Sequence, residues 1–179
     1  MSDRASSYLK KLLLQEHSKI QTLKIVNYVG GAQDRFDALF DIFSNDEYRL
    51  ILRASWAINY CIEKHPFLIA SHYTNILKLL TPSSPNAVKR NITRMLQFVE
   101  IPEEWTGSVY DQCFSFVTSV NEPIAVRCFS MQVLNNISLG IPELENELRE
   151  LLMDIKELES PGIRTRSRKL LKLLDRKSR

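Results

Sequence analysis

Glycine is scarce in this chain, five in 179 residues, and nowhere dense enough to build a loop that could cradle a phosphate. That excludes P-loop and dinucleotide fingerprints, and Gly30-Gly31 most simply ends a helix. Seven prolines are equally sparse, so the chain lacks the punctuation a many-stranded β protein needs. Cys61, Cys113 and Cys128 are odd in number, far apart and set in apolar patterns. They cannot make a disulfide framework and read as reduced, buried thiols of a cytoplasmic protein. His17, His65 and His72 stand apart from any Cys or carboxylate at metal-ligand spacing, and no nucleophile elbow accompanies them. The sequence therefore offers no catalytic residue, no metal set and no cofactor. No apolar run approaches the roughly 20 residues of a membrane span, and the polar start Met1-Ser2-Asp3-Arg4 is unlike a signal peptide.

What fills the chain instead is long amphipathic segments rich in Leu, Ile, Glu, Lys and Arg, which predict an all-α fold. They carry a period. The aliphatic–basic pairs Leu52-Arg53, Val88-Lys89, Val126-Arg127 and Ile163-Arg164 recur at spacings of 36, 38 and 37 residues, the mark of a repeat array. His65-Pro66, Ile101-Pro102 and Ile141-Pro142 form a second register, and Ser84-Pro85, Glu122-Pro123 and Ser160-Pro161 a third. Proline belongs at a helix start, where its missing N–H would be unpaired in any case.

After each basic pair the apolar residues fall at offsets 0, 4, 7, 8 and 11, as in Val88, Ile92, Met95, Leu96 and Val99. That is one stripe of a 3.6-residue helix. At offset 4 the next two units carry Ser130 and Ser167, small enough for close helix approach. Helices are expected at 3–15, 18–29, 33–44, 46–64, 67–80, 85–100, 103–119, 123–139, 142–158 and 162–176. They pair into five antiparallel hairpins, near 3–29, 33–64, 67–100, 103–139 and 142–176, within one domain covering 1–179. Asn45-Asp46, Ser84, Asn121 and Ser160 stand where N-caps belong. The fold class is thus an all-α superhelix, an α-solenoid.

The motif Pro-x-x-Val-(Arg/Lys), in Pro85-Asn86-Ala87-Val88-Lys89 and Pro123-Ile124-Ala125-Val126-Arg127, resembles the second-helix signature of HEAT repeats, an armadillo-like class. The resemblance covers about residues 33–176. It implies a stack of helix pairs with the second helices lining a concave side, and a non-enzymatic scaffold that binds proteins or, in some members, nucleic acid. Ser83-Ser84 followed by Lys89-Arg90-Asn91 is also similar to part of the signature loop of the adenylosuccinate lyase and fumarase superfamily. The Met-Pro pair of that loop is replaced here by Pro85-Asn86-Ala87-Val88, and the other catalytic regions have no counterpart.

Three surfaces are candidates for binding. Arg53, Lys89, Arg127 and Arg164 could meet an acidic ligand as a ladder; the HEAT resemblance implies instead a structural pairing with residues such as Asp46 or Glu122. Arg90, Arg94 and Gln97 lie on the polar side of one second helix and are expected to continue towards Gln132, Asn135 and Asn136 as a polar groove. The last helix is the sharpest charge feature. Residues 163–179 hold eight basic residues against Asp175 alone, whereas the rest of the chain holds sixteen basic and twenty acidic. Its stripe of Ile163, Leu170, Leu171 and Leu174 should dock inward and leave Arg166, Arg168, Lys169, Lys172 and Arg176 facing out. Such a density could neutralise several phosphates, although no aromatic residue interleaves to stack bases, and it equally suits a solvated terminal cap.

A further segment, Ala54, Ala57, Ile58 and Cys61 beside Trp56 and Tyr60, is apolar all round and predicts a helix covered on both sides, the alternative being a hydrophobic groove open to a partner helix. The expected partner is another protein, with nucleic acid as the alternative and a second copy of the chain permitted.

Overall fold

The computed structural model describes residues 2–155 and 160–177, and every regular element among them is helical. Two compact units divide the chain, Met1–Glu100 and Ile101–Arg179. The first holds α1 (Ser2–Gln15), α2 (Lys19–Val29), α3 (Gln33–Asn45), α4 (Tyr48–Lys64), α5 (Tyr73–Leu79) and α6 (Asn86–Met95). Short 3-10 turns at Pro66–His72 and Leu96–Phe98 complete it. The second holds α7 (Glu103–Thr118), α8 (Ile124–Ser138), α9 (Pro142–Ile155) and α10 (Pro161–Lys177). Residues 156–158 of the expected ninth helix, and Arg179 of the basic segment, lie outside the described residues.

Local chemistry sets the boundaries, though not always through the expected residues. Pro85 and Pro123 themselves occupy the cap positions of α6 and α8, with extended ψ near 140°, and their carbonyls take the first helical bonds from Lys89 and Arg127 N–H. Proline fixes φ and needs no partner for a missing donor, so Ser84 and Asn121 are displaced from the cap role. Ser84 instead meets Thr81 Oγ1 at 2.9 Å. Glu47, not Asn45 or Asp46, precedes α4. A side-chain cap does appear at Ser18, whose Oγ accepts from Gln21 N–H at 3.1 Å. Gly30 ends α2 at φ 54°, donating its N–H to Val26 O. A side chain would be strained in that backbone conformation.

The expected helix 67–80 splits into a 3-10 turn and the short α5, for a tertiary reason. His72 ends the turn with its ring stacked 4.1 Å from Phe40 and its Nε2 2.7 Å from Asp37 Oδ1. Gln33 Nε2, on α3, donates to Leu68 O in the same turn. These anchors to α3 fix a geometry that a continuous α-helix would have to break.

In the first unit α4 is the hub, packing against α1, α2, α3 and α6. That explains its all-round apolar character: Ala54, Ala57, Ile58 and Cys61 are fully buried. The core continues through Leu9, Leu13, Ile25, Val29, Phe36, Leu39, Phe40 and Phe43. In the second unit α8 packs against α7, α9 and α10, and α9 against α10. Ser130 and Ser167 are completely buried there, as close helix approach requires, and Ser167 Oγ turns back to Ile163 O at 3.0 Å.

Basic residues of the repeat ladder reach carbonyl oxygens at helix ends and turns. Arg53 Nη1 donates to Leu13 O at 2.6 Å and Arg127 Nε to Val117 O at 3.0 Å. Both carbonyls belong to the last turn of a helix, α1 or α7, where no intrahelical donor exists and the helix dipole is negative. Lys89 Nζ donates to Pro82 O at 3.2 Å in the turn after α5. Arg164 is half-buried. Asp46 is engaged elsewhere, 2.5 Å from Lys10 Nζ, which holds its carboxyl below the usual range.

Candidate functional site

Three segments of the first unit converge on a groove of about 290 Å³ lined by His17, Leu52, Ser55, Trp56, Arg90, Asn91 and Arg94. His17 comes from the link between α1 and α2, Leu52, Ser55 and Trp56 from α4, and the rest from α6. The imidazole of His17 meets the indole edge-on at 5.5 Å between centroids, and Tyr60 follows one turn along α4. Arg94 Nη2 lies 3.2 Å from Glu63 Oε1, and neither side chain of that pair is buried. The Arg90 guanidinium is exposed and has no partner among the described residues.

Below the lining runs a buried polar strip. Ser55, Asn59 and Asn91 are each under 5% exposed. Asn59 Nδ2 donates to Ser55 O at 2.8 Å and approaches Asn91 Oδ1 at 3.4 Å, while Asn91 Nδ2 donates to Ala87 O at 2.7 Å. Asn59 Oδ1 is buried with no hydrogen-bond partner, an exception to the rule that buried polar atoms are paired. The α4–α6 interface is thus polar where the groove lies and apolar elsewhere.

Of the residues expected to line a polar groove, Arg90 and Arg94 do. Gln97 is half-buried and turns back to Arg94 O at 3.1 Å. Gln132, Asn135 and Asn136 belong to the second unit. There Asn135 is buried, and Gln132 Nε2 donates to Asn136 Oδ1 at 2.9 Å. Sequence reasoning missed His17 and Asn91, and favoured a covered helix over an open groove at Trp56. A tryptophan on the same helix as Ala54, Ala57 and Ile58 reads as core, and only the packing of α4 on α6 leaves the indole half-exposed.

The last helix departs from expectation at one position. Arg166 does not face outward: its Nη1 donates to Gln132 Oε1 at 3.0 Å, tying α10 to α8. Arg168, Lys169 and Lys172 are exposed as expected, and with Thr165, Leu173 and Arg176 they surround a shallow depression of about 500 Å³. Arg149 pairs with Asp175 behind them. Burial pushes the Cys61 and Cys113 thiols up to about 12 and raises Cys128, which nearby Arg166 and Arg127 only partly offset. Among the described residues no three His, Cys, Asp or Glu side chains converge as metal ligands, and no helix is long and apolar enough to cross a membrane.

The model of the HEAT repeat domain matches residues 9–174. The chain belongs to the HEAT repeat family. HEAT repeat domains are typically non-enzymatic helical scaffolds engaged in binding, which gives this groove its setting. The HEAT chain is also similar in fold to the crystal structure of an engineered protein. The two are 18% identical with a TM-score of 0.60, the match covering 95% of this chain and 79% of that one. No curated protein sequence matches. The match reaches α1, so the amino-terminal hairpin, which lacks an aliphatic–basic pair, is HEAT-like as well.

Proposed function

We propose that this HEAT chain is a non-enzymatic, cytoplasmic scaffold that binds another protein, and that the α4–α6 groove is its contact surface. The observation that carries the reading is the groove's lining: an accessible indole beside an unpartnered guanidinium over a buried polar floor. Tryptophan and arginine are the side chains that dominate protein interfaces when they sit together in a pocket. The lyase-like Lys89-Arg90-Asn91 run supports no catalysis, because Lys89 is buried on Pro82 O and only Arg90 and Asn91 reach the groove.

Photo-crosslinking in host cells tests the proposal. A benzophenone amino acid replacing Trp56 should give a discrete protein adduct. The same group replacing Tyr48, 58% exposed on the same helix, should give none. No adduct from position 56, or the same adduct from both, would count against a specific groove contact.

The basic face of α10 favours a second reading, polyanion binding. If Arg168, Lys169, Lys172 and Arg176 each neutralise a phosphate, duplex DNA affinity should fall about a hundredfold between roughly 50 and 200 mM salt. Fluorescence anisotropy with the four residues changed to Glu should then lose the binding altogether. Affinity that ignores both salt and charge reversal removes this reading and leaves α10 as a solvated cap.

A further inference from the structure

We infer that the partner presents an acidic linear segment, with one carboxylate received by Arg90 and Arg94 and a neighbouring apolar side chain laid against Trp56. This rests on the protein-binding reading of the groove and adds the chemistry of what fills it.

Charge comes first. The groove lining contains two arginines and a histidine and no carboxylate. The first unit as a whole is basic, with thirteen Lys and Arg against nine Asp and Glu among residues 1–100. The long-range field of this unit therefore favours an anionic partner before any contact forms.

Size and number of cations then choose the kind of anion. The lining supplies one unpartnered guanidinium, and a second already answered by Glu63 at 3.2 Å. A strand of nucleic acid needs a run of cations along its backbone and aromatic rings on which successive bases stack. Beyond Arg90 and Arg94 the lining holds no further Lys or Arg to meet successive phosphates. A single carboxylate suits the same geometry, since a guanidinium presents a planar fork to it. Arg94 adds a second donor at the rim and stays held in place by Glu63.

The remaining lining fits the body of a peptide. Leu52 and Trp56 offer apolar area to a side chain adjacent to the carboxylate, with His17 against the indole edge. The buried amides lie beneath.

The experiment uses the full chain with Trp105→Phe, so that Trp56 alone reports emission. The probes are an acetylated peptide Asp-Glu-Leu-Phe-Glu-Asp, its Asn/Gln counterpart, and a ten-residue oligothymidine. The acidic peptide should give a saturable change in Trp56 emission that the neutral peptide fails to give. Arg90→Gln should weaken the response about tenfold and Arg90→Glu abolish it, both with unchanged helicity. Because Arg90 is exposed, either variant should fold.

Equal binding of the neutral peptide overturns the inference in favour of a simple apolar contact. Tighter binding of the oligothymidine overturns it in favour of nucleic acid. No saturable change with the acidic peptide up to about 1 mM, the weakest range of specific recognition, overturns it too. In that last case a protein adduct from crosslinking at position 56 would still stand, so loss of the acidic partner and loss of protein binding are told apart.

Discussion

Phe40→Ala should destabilise the first unit by about 4 kcal/mol, the range for emptying a fully packed aromatic site. Phe40 is 1% exposed, and its ring lies 4.1 Å from His72, 5.8 Å from Phe43 and 6.1 Å from Phe36 between centroids. The loss combines transfer of the ring to water, the cavity left behind and the ring–ring interactions, each of the latter worth about 1 kcal/mol. It also removes the platform that fixes His72, and with it the 3-10 turn that Asp37 and Gln33 hold against α3. Urea unfolding followed by Trp56 emission, in a Trp105→Phe background, reads this unit alone. Phe40→Leu, which preserves most of the volume, should cost no more than about 1.5 kcal/mol. An alanine variant losing less than about 1 kcal/mol would mean the aromatic cluster is loosely packed.

Arg127→Ala should cost the second unit about 3 kcal/mol, unusual for a charged residue. Surface arginines contribute little, but Arg127 is 3% exposed and its Nε donates to Val117 O. Truncation removes a charge-assisted bond worth about 1.5–3 kcal/mol, leaves a buried helix-end carbonyl without its donor and opens a cavity. Because the unit is small, that loss should lower its melting temperature by more than about 10 °C, read from Trp105 in a Trp56→Phe background. Arg127→Lys keeps the charge but cannot donate from the same place and should lose roughly half as much. If alanine costs less than about 0.5 kcal/mol, the buried guanidinium is not what closes the end of α7.

The ladder also shows what a sequence can and cannot say. Its period was legible because Val88, Val126 and Ile163 must each turn the same face inward, and that necessity survives without coordinates. Helix starts were legible from Pro85, Pro123, Pro142 and Pro161, since the physics of proline is local. The carbonyl acceptors of Arg53 and Arg127 were not, because an arginine side chain is long and a carbonyl acceptor leaves no trace in composition. Arg166 was misjudged for a related reason: helical periodicity places it on a face but does not reveal that Gln132 waits across the α8–α10 contact. The groove was half legible. Arg90 and Arg94 announce a polar helix face, whereas the approach of His17 to Trp56 requires the link after α1 to pass α4.

Within the second unit the main helix contacts are between near neighbours along the chain: α7 meets α8, α8 meets α9 and α10, and α9 meets α10. Such a pattern gives low contact order, so little loop entropy is surrendered before contacts form and folding is expected to be fast. It has a mechanical side as well. A chain pulled from its end at α10 would shed that helix without first disturbing α7, whose main contact is α8. Tension would therefore peel the second unit apart helix by helix, in the order opposite to synthesis.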